Sequence, residues 1–267
     1  MNEFSLIFIL ALVLMTGVEL WLSLRQSRYV TAHRNEVPDA FKGQIDLVDH
    51  QKAASYTVAK GQLNRVEGIC GMIILLLWTI GGGLAWLMES WQVLEWSEMV
   101  LGILFILSFF VIGTLIELPF SWYRTFVLEE KFGFNKNSPG LFYTDLLKQT
   151  ALMLIIGAPL LWGALSLMDS AGEYWWLYLW AAWFAFTLLV MWAYPAFIAP
   201  LFNKFTPLED IQLKERVESL LSRCGFKSQG IFVMDGSRRS GHGNAYFTGL
   251  GGNKRIVFFD TLLETLN

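Results

Sequence analysis

The stretch that decides the fold is MVLGILFILSFFVIGTLIELPF, residues 99–120, an apolar run that contains one carboxylate, Glu117. A helix rises 1.5 Å per residue, so about 20 apolar residues cross about 30 Å of hydrocarbon. Four further runs of this kind occur along the chain: 4–24, 69–88, 150–168 and 175–199. The sequence therefore predicts an α-helical polytopic membrane protein with about five transmembrane helices within residues 1–200.

Composition agrees with a membrane location. Of the 267 residues, 54% are hydrophobic and 16% charged, and the mean hydropathy is +0.45, whereas soluble domains carry about 25% charged residues. The net charge of −3 and the lack of a basic run interleaved with aromatic residues exclude a nucleic-acid-binding groove. Cys70 and Cys224 are too isolated to predict a disulfide or a structural zinc site. We expect the lipid bilayer, and no nucleic acid, as a partner.

The placement of basic residues predicts the topology. All 20 Lys and Arg fall in three segments, with seven in 25–65, four in 124–148 and nine from residue 204 onward. The other two connections between spans carry only acidic charges. Because basic residues mark cytoplasmic loops, we expect the N-terminus outside and the polar segment 201–267 in the cytoplasm. We expect a bacterial inner membrane as the location.

Two acidic residues, Glu19 and Glu117, lie within predicted spans. A charge inside the bilayer costs a few kcal/mol unless it is paired, neutralised or facing water. One interpretation is that both residues line an internal, water-filled path. The other is that they lie near span ends or bond a neighbouring helix, and the sequence does not choose between the two.

The segment 201–267 predicts a small cytoplasmic α+β domain. Thr206–Glu209 have the pattern of a capping box with proline at the first helical position, which predicts a helix to about Arg223 that Gly225 ends. Short strands are predicted at 231–234, 244–248 and 255–259, and Asp260 or Thr261 caps a further helix. Because so short a helix is marginal in water, we expect the sequence to stop inside this domain.

Common catalytic motifs are missing from the sequence, including Walker A, GxSxG, GxGxxG and HExxH. His33, His50 and His242 are scattered, and none has a second histidine at metal-ligand spacing. His242 could contact a substrate cleft, although an exposed turn residue is the favoured interpretation. A basic cluster could meet anionic lipid headgroups, although a solvated surface is favoured; it consists of Arg238, Arg239, Lys254 and Arg255.

Several stretches resemble a known family. They are VMDGSRRSGHGNAYF (233–247), KRIVFFDTLL (254–263), PFSWYRTFVLEEKFGFN (119–135), PGLF (139–142) and YPAFIAPLFNKFTPLE (194–209). Together they resemble the type 1 CAAX prenyl proteases, which are integral-membrane zinc metalloendopeptidases. Neither membrane burial nor turn chemistry requires the runs EEKFGFN and NAYF, so the resemblance is specific.

The resemblance implies roles for particular residues. It implies that the segment 201–267 is the start of a zincin-like metalloprotease domain, and that the strand residues Asn244, Ala245, Tyr246 and Phe247 bind substrate along an exposed sheet edge beside the metal. In the family, an HExxH motif and a later Glu supply the zinc site, and this sequence ends before such a motif. We therefore expect no catalytic or metal-binding residue in this chain and no cleavage by it alone, with zinc bound by the complete enzyme.

The resemblance leaves the substrate open between prenylated and other membrane-associated peptides. It predicts the N-terminal membrane and substrate-cleft part of a zinc-dependent metalloendopeptidase. The alternative is a non-catalytic membrane scaffold or peptide-binding protein derived from that family. A transporter, suggested by the intramembrane acids and by Pro119 and Pro159, is disfavoured because no internal repeat is visible.

Overall fold

The structure is a computed structural model that describes residues 2–226, 228–249 and 254–266. The chain forms two compact units, Met1–Phe132 and Gly133–Asn267, and each is described by itself. The predicted division into a membrane region, 1–200, and a polar segment, 201–267, follows hydropathy instead of packing and stays a prediction.

The first unit is helical. Its helices are α1 (Glu3–Ala32), α2 (Leu47–Thr79), α3 (Gly83–Gln92), α4 (Glu98–Tyr123) and α5 (Glu130–Phe132), and a π-helical turn over Arg124–Glu129 joins the last two. α1 and α2 pack together. Leu12 and Thr16 on α1 and Ala54 and Leu63 on α2 are buried. These two helices therefore contain half of the buried residues described for this unit.

The predicted span 69–88 is not one straight helix. α2 ends at Thr79, and α3 continues from Gly83 at an angle of 51°. Gly82 between them has φ 77°, a left-handed conformation that is costly for residues with a Cβ. The hydropathy of the run predicted an apolar helical segment here but not the glycine break within it.

The second unit begins with helices and ends with a sheet. Its first helices are α6 (Pro139–Ser170), α7 (Trp175–Ala193) and the short α8 (Ala199–Phe202), with a π-helical turn over Tyr194–Ile198 before α8. Ser138 caps α6, since its hydroxyl accepts a hydrogen bond from the Leu141 amide at 3.2 Å. A side-chain oxygen at this position satisfies an amide that has no partner within the helix.

Four helical segments in the described residues are long and apolar enough to span a membrane: Glu3–Ala32, Glu98–Phe132, Pro139–Ser170 and Gly172–Phe202. The bent pair of α2 and α3 makes a fifth. In each of the first four segments, at most 11% of the most apolar window is buried inside the protein, so their apolar side chains face outward as lipid-contacting residues do. The prediction of about five spans is confirmed, and the protein is an integral membrane protein.

The sheet of the second unit has four strands. They are β1 (Phe205–Pro207), β2 (Gly230–Met234), β3 (Ala245–Thr248) and β4 (Arg255–Phe259), in the spatial order β1-β2-β4-β3. β4 pairs parallel with β2 and antiparallel with β3, and β1 pairs antiparallel with β2. Ile231, Met234 and Val257 form the buried core of this sheet. The three predicted strands are confirmed to within one residue, and β1 was not predicted.

The predicted capping box is wrong. Thr206 pairs with Val233 in the β1–β2 ladder, and α9 begins only at Ile211 and ends at Arg223. Asp210 caps it by accepting a hydrogen bond from the Leu213 amide at 3.0 Å. Strand pairing with a distant segment therefore outweighs a local capping pattern.

The end of α9 agrees with the sequence, and the start of the last helix does not. Gly225 has φ 65°, and the next amide, that of Phe226, donates to the Leu221 carbonyl at 2.9 Å. This is a Schellman ending, which favours glycine. The last helix, α10, covers Asp260–Leu266, so both predicted cap residues lie inside the helix and the predicted cap is wrong.

The two intramembrane acids lie in different surroundings. Glu19 lines a cavity of 220 Å³ together with Thr16, Ser23 and Arg65. Glu117 is exposed on the surface of α4. Both interpretations of these residues, a water-filled path and a position near a span end or bonded to a neighbouring helix, stay open.

Candidate functional site

β3 lies at the edge of the four-stranded sheet. One side pairs with β4, where Tyr246 lies opposite Val257 and Thr248 opposite Arg255. The ladder begins before the strand, because the Phe259 amide donates to the Asn244 carbonyl at 2.9 Å. Among the described strands, none pairs with the other side of β3.

The alternation of an antiparallel ladder decides which groups of β3 face outward. Asn244 bonds to β4, so the backbone groups of Tyr246 and Thr248 also face β4, and those of Ala245 and Phe247 face the open edge. The Phe247 side chain is 73% exposed. Such an edge can accept an extended peptide as an additional strand, with main-chain hydrogen bonds that fix its register.

Asn244 and Tyr246 make the side-chain contacts of this edge, Asn244 at the surface and Tyr246 half-buried. The Asn244 side chain accepts a hydrogen bond from the Ala245 amide at 2.8 Å. The Tyr246 ring packs edge-on against Phe259, and its hydroxyl lies 3.8 Å from the sulfur of Met234. Burial raises the pKa of the Tyr246 hydroxyl, and the nearby Tyr194 phenol raises it further. Tyr246 is therefore a neutral packing residue of the sheet.

His242 lies just before the edge strand. Its ring stacks on Phe134 with centroids 4.1 Å apart, and its carbonyl accepts a hydrogen bond from the Thr261 hydroxyl at 2.9 Å. The residue is exposed, as expected for a turn, but its ring is held against an aromatic neighbour.

The basic cluster does not form one solvated surface. Arg239 forms a bidentate ion pair with Asp145, at 2.7 and 3.1 Å, and Asp145 is 8% exposed. Arg255 donates to the Pro195 carbonyl at 3.0 Å. The interpretation favoured from the sequence, that these side chains form a solvated surface, is therefore wrong for Arg239 and Arg255. The sequence contained a signal for this ion pair, since Asp145 lies close to the apolar run 150–168, where a carboxylate needs a partner.

The described residues do not fit a zinc site. Among them, no group of three or more His, Cys, Asp or Glu side chains converges closely enough to hold a metal ion. A catalytic zinc site takes three protein ligands and an open position. No chemical step can therefore be assigned to these residues through a metal.

Comparisons with known families match the chain in two parts. Residues 26–204 match the profile described as CAAX prenyl protease N-terminal, five membrane helices. Residues 207–267 match the profile of peptidase family M48.

Individual relatives extend the match. The chain is 38% identical to CAAX prenyl protease 1 of Saccharomyces cerevisiae over 260 aligned residues. The aligned region covers 92% of this chain and 56% of the relative. It is 36% identical over 261 residues to the CAAX prenyl protease 1 homolog of Arabidopsis thaliana, covering 95% and 61%. It is 34% identical over 260 residues to the homolog of Homo sapiens, covering 92% and 53%.

A solved structure is also similar. The crystal structure of S. mikatae Ste24p matches with a TM-score of 0.89 and 36% identity, over 99% of this chain and 62% of that one. The chain thus spans between 53% and 62% of the length of these relatives.

Proposed function

The chain belongs to the CAAX prenyl protease family of M48 peptidases, and from that premise we propose that it forms the membrane region and the substrate-binding edge of a zinc-dependent metalloendopeptidase. The substrates are membrane-associated or prenylated peptides. Zinc belongs to the family's chemistry, and its ligands lie outside the residues described for this chain. The contribution of this chain is to bind and orient the peptide.

The open edge of β3 is the observation that carries the proposal. The main-chain groups of Phe247 and the carbonyl of Ala245 face away from β4, and Phe247 is largely exposed, whereas the Ala245 amide is already bonded to the Asn244 side chain. An extended peptide can pair with these groups whatever its side chains are, because the hydrogen bonds involve only backbone. A sheet edge of this kind suits an enzyme that must hold a peptide extended while one bond is cleaved.

The proposed topology brings the substrate to this edge from the cytoplasm. The basic loops 25–65 and 124–148 and the polar segment 201–267 lie on that side, so a peptide attached to a cytoplasmic lipid anchor can reach β3. The bacterial inner membrane remains a prediction, and the three relatives compared above are eukaryotic.

The test uses the full-length protein purified in detergent, with zinc measured by elemental analysis and cleavage of a farnesylated peptide followed by mass spectrometry. We expect bound zinc and specific cleavage. A folded protein that binds the peptide but contains no zinc and cleaves nothing would instead establish the non-catalytic scaffold and overturn the proposal.

Phe247 supplies a sharper test of the edge itself. Phe247→Pro removes the outward-facing amide at an edge position where proline is tolerated, whereas Phe247→Ala removes the side chain and keeps the amide. Loss of one backbone hydrogen bond predicts a KM about 3-fold to 10-fold higher for the proline variant than for the alanine variant. Equal KM values for the two variants would exclude pairing at this amide.

A further inference from the structure

The guanidinium of Arg239 connects the ends of two apolar helices. It binds Asp145 in the second turn of α6, and its Nη2 also donates to the carbonyl of Phe202, the last residue of α8, at 2.6 Å. Its Nη1 donates to the Asn203 side chain at 2.8 Å. All three guanidinium nitrogens are therefore engaged, in a geometry that a lysine ammonium cannot reproduce.

The residues after Arg239 are held along their backbone. The Arg239 carbonyl accepts a hydrogen bond from the Lys136 amide at 3.2 Å, and the Gly241 amide donates to the Phe134 carbonyl at 2.8 Å. Ser240 between them forms an isolated β-bridge with Asn135. β3 begins only four residues after Gly241, so little chain separates this anchored stretch from the edge strand.

We infer that Arg239 is a positioning residue that fixes the peptide-binding edge of β3 relative to the start of α6 and the end of α8. The inference rests on the proposed function. A substrate whose lipid stays in the bilayer presents its peptide at a set distance from the membrane. The position of β3 relative to these helix ends then determines which peptide bond reaches the cleaving groups.

The neighbouring arginine provides a matched control. Arg238 has the same charge, but its ion pair is with Asp235, three residues earlier, at 3.2 Å, and its side chain is 47% exposed. Arg238 itself contacts neither helix end, whereas its partner Asp235 is bonded to the backbone of Lys204 just after α8. Exposed pairs of this kind contribute little to stability. Substitution of Arg238 therefore tests the loss of one positive charge while the contacts of Arg239 with Asp145 and Phe202 remain.

The experiment compares Arg239→Gln, Arg239→Lys and Asp145→Asn with Arg238→Gln and Arg238→Lys in the full-length protein. We expect kcat/KM for a farnesylated peptide to fall about 10-fold to 100-fold in the Arg239 and Asp145 variants, because a displacement of about 1 Å is costly in catalysis. We also expect additional cleavage sites in their products. The Arg238 variants keep the wild-type rate and a single product.

The product pattern separates positioning from general destabilisation, since a partly unfolded enzyme cleaves less but at the same bond. Arg239→Lys keeps the charge and serves as the folded variant if Arg239→Gln does not fold. Unaltered cleavage sites and rates in Arg239→Lys and Asp145→Asn, or the same change in the Arg238 variants, would overturn the inference.

Hydrogen exchange provides a readout that does not depend on cleavage. The amides of Tyr246 and Thr248 face β4 and are protected in the ladder. Their exchange should accelerate in Arg239→Lys and Asp145→Asn and not in Arg238→Lys. If the wild-type protein cleaves no peptide, the proposed function fails, whereas unchanged exchange in Arg239→Lys defeats the positioning role by itself.

Discussion

Arg124 and Glu67 form an ion pair in which one guanidinium nitrogen, Nη2, donates to both carboxylate oxygens, at 2.6 and 2.5 Å. Glu67 lies on α2, and Arg124 begins the π-helical turn after α4. Both residues lie at the boundary between a polar stretch and a predicted span. The pair therefore joins two helices where an unpaired charge would be costly.

Substitution of Glu67 tests this pair. Glu67→Gln keeps the shape but leaves Arg124 without its counter-charge, and both side chains are partly shielded, at 18% and 36% exposed. We expect the free energy of unfolding to fall by about 1–3 kcal/mol, less than for a fully buried pair. The melting temperature, followed by tryptophan fluorescence in detergent, should fall by about 2–10 °C.

The surface pair of Lys42 and Asp39 is the control, with side chains 57% and 89% exposed. Asp39→Asn should leave the melting temperature nearly unchanged. An equal response of the two variants would show that the pair of Arg124 and Glu67 is as weak as a surface pair.

Gly236 is required by close packing. A Cβ at this position would lie 2.6 Å from Cδ2 of Phe259, closer than nonbonded carbons approach. Gly236→Ala should therefore lower the free energy of unfolding by about 1–3 kcal/mol, measured by thermal denaturation. Gly140→Ala is the control, since its Cβ would meet nothing within 4 Å.

A second substitution tests the cause of the Gly236 effect. Phe259→Leu removes the ring atoms that the new Cβ would contact, so the double variant should be more stable than the sum of the two single effects predicts. If the two changes in the free energy of unfolding are strictly additive, contact with the Phe259 ring is not the cause of the Gly236→Ala effect.

Tyr246 predicts a pH dependence. Burial raises its folded-state pKa above the ordinary tyrosine value of 10.0, so above about pH 10 the folded state binds more protons than the unfolded state. The stabilising contribution is complete below that pH and is lost as the pH rises through the folded-state pKa. Melting temperatures should therefore fall more steeply in the wild type than in Tyr246→Phe as the pH rises above about 10. Parallel curves would show that Tyr246 does not titrate differently in the two states.

The topology can be tested with a native cysteine. Cys224 is exposed and Cys70 is half-buried, so the Cys70→Ser variant has a single reactive thiol in the polar segment. A membrane-impermeant maleimide should label it only after the cells are permeabilised. Glu173→Cys, with both native cysteines replaced by serine, should be labelled in intact cells. Labelling of Cys224 in intact cells would show that the topology is the opposite one and that β3 does not lie in the cytoplasm.

The features that the sequence predicted correctly are those that depend on neighbouring residues. The apolar runs predicted the spans, and alternating or aromatic-rich stretches predicted β2, β3 and β4. Gly225 marked the end of a helix because a left-handed residue there favours glycine. The failures have a common cause, since Thr206 pairs with the distant Val233, and Arg239 binds Asp145 across 94 positions of the chain.

The sequence by itself determined that this chain crosses a membrane, because the transfer free energy of an apolar run is a sum over its own residues and needs no partner. It also carried the resemblance that identified Asn244–Phe247 as the strand of interest. Only the tertiary structure decided that β3 is the edge of the sheet, since that depends on the order in which distant strands pair. The tertiary structure also decided that Arg239 is held between two helix ends, because a guanidinium reaches four acceptors only where folding brings them together.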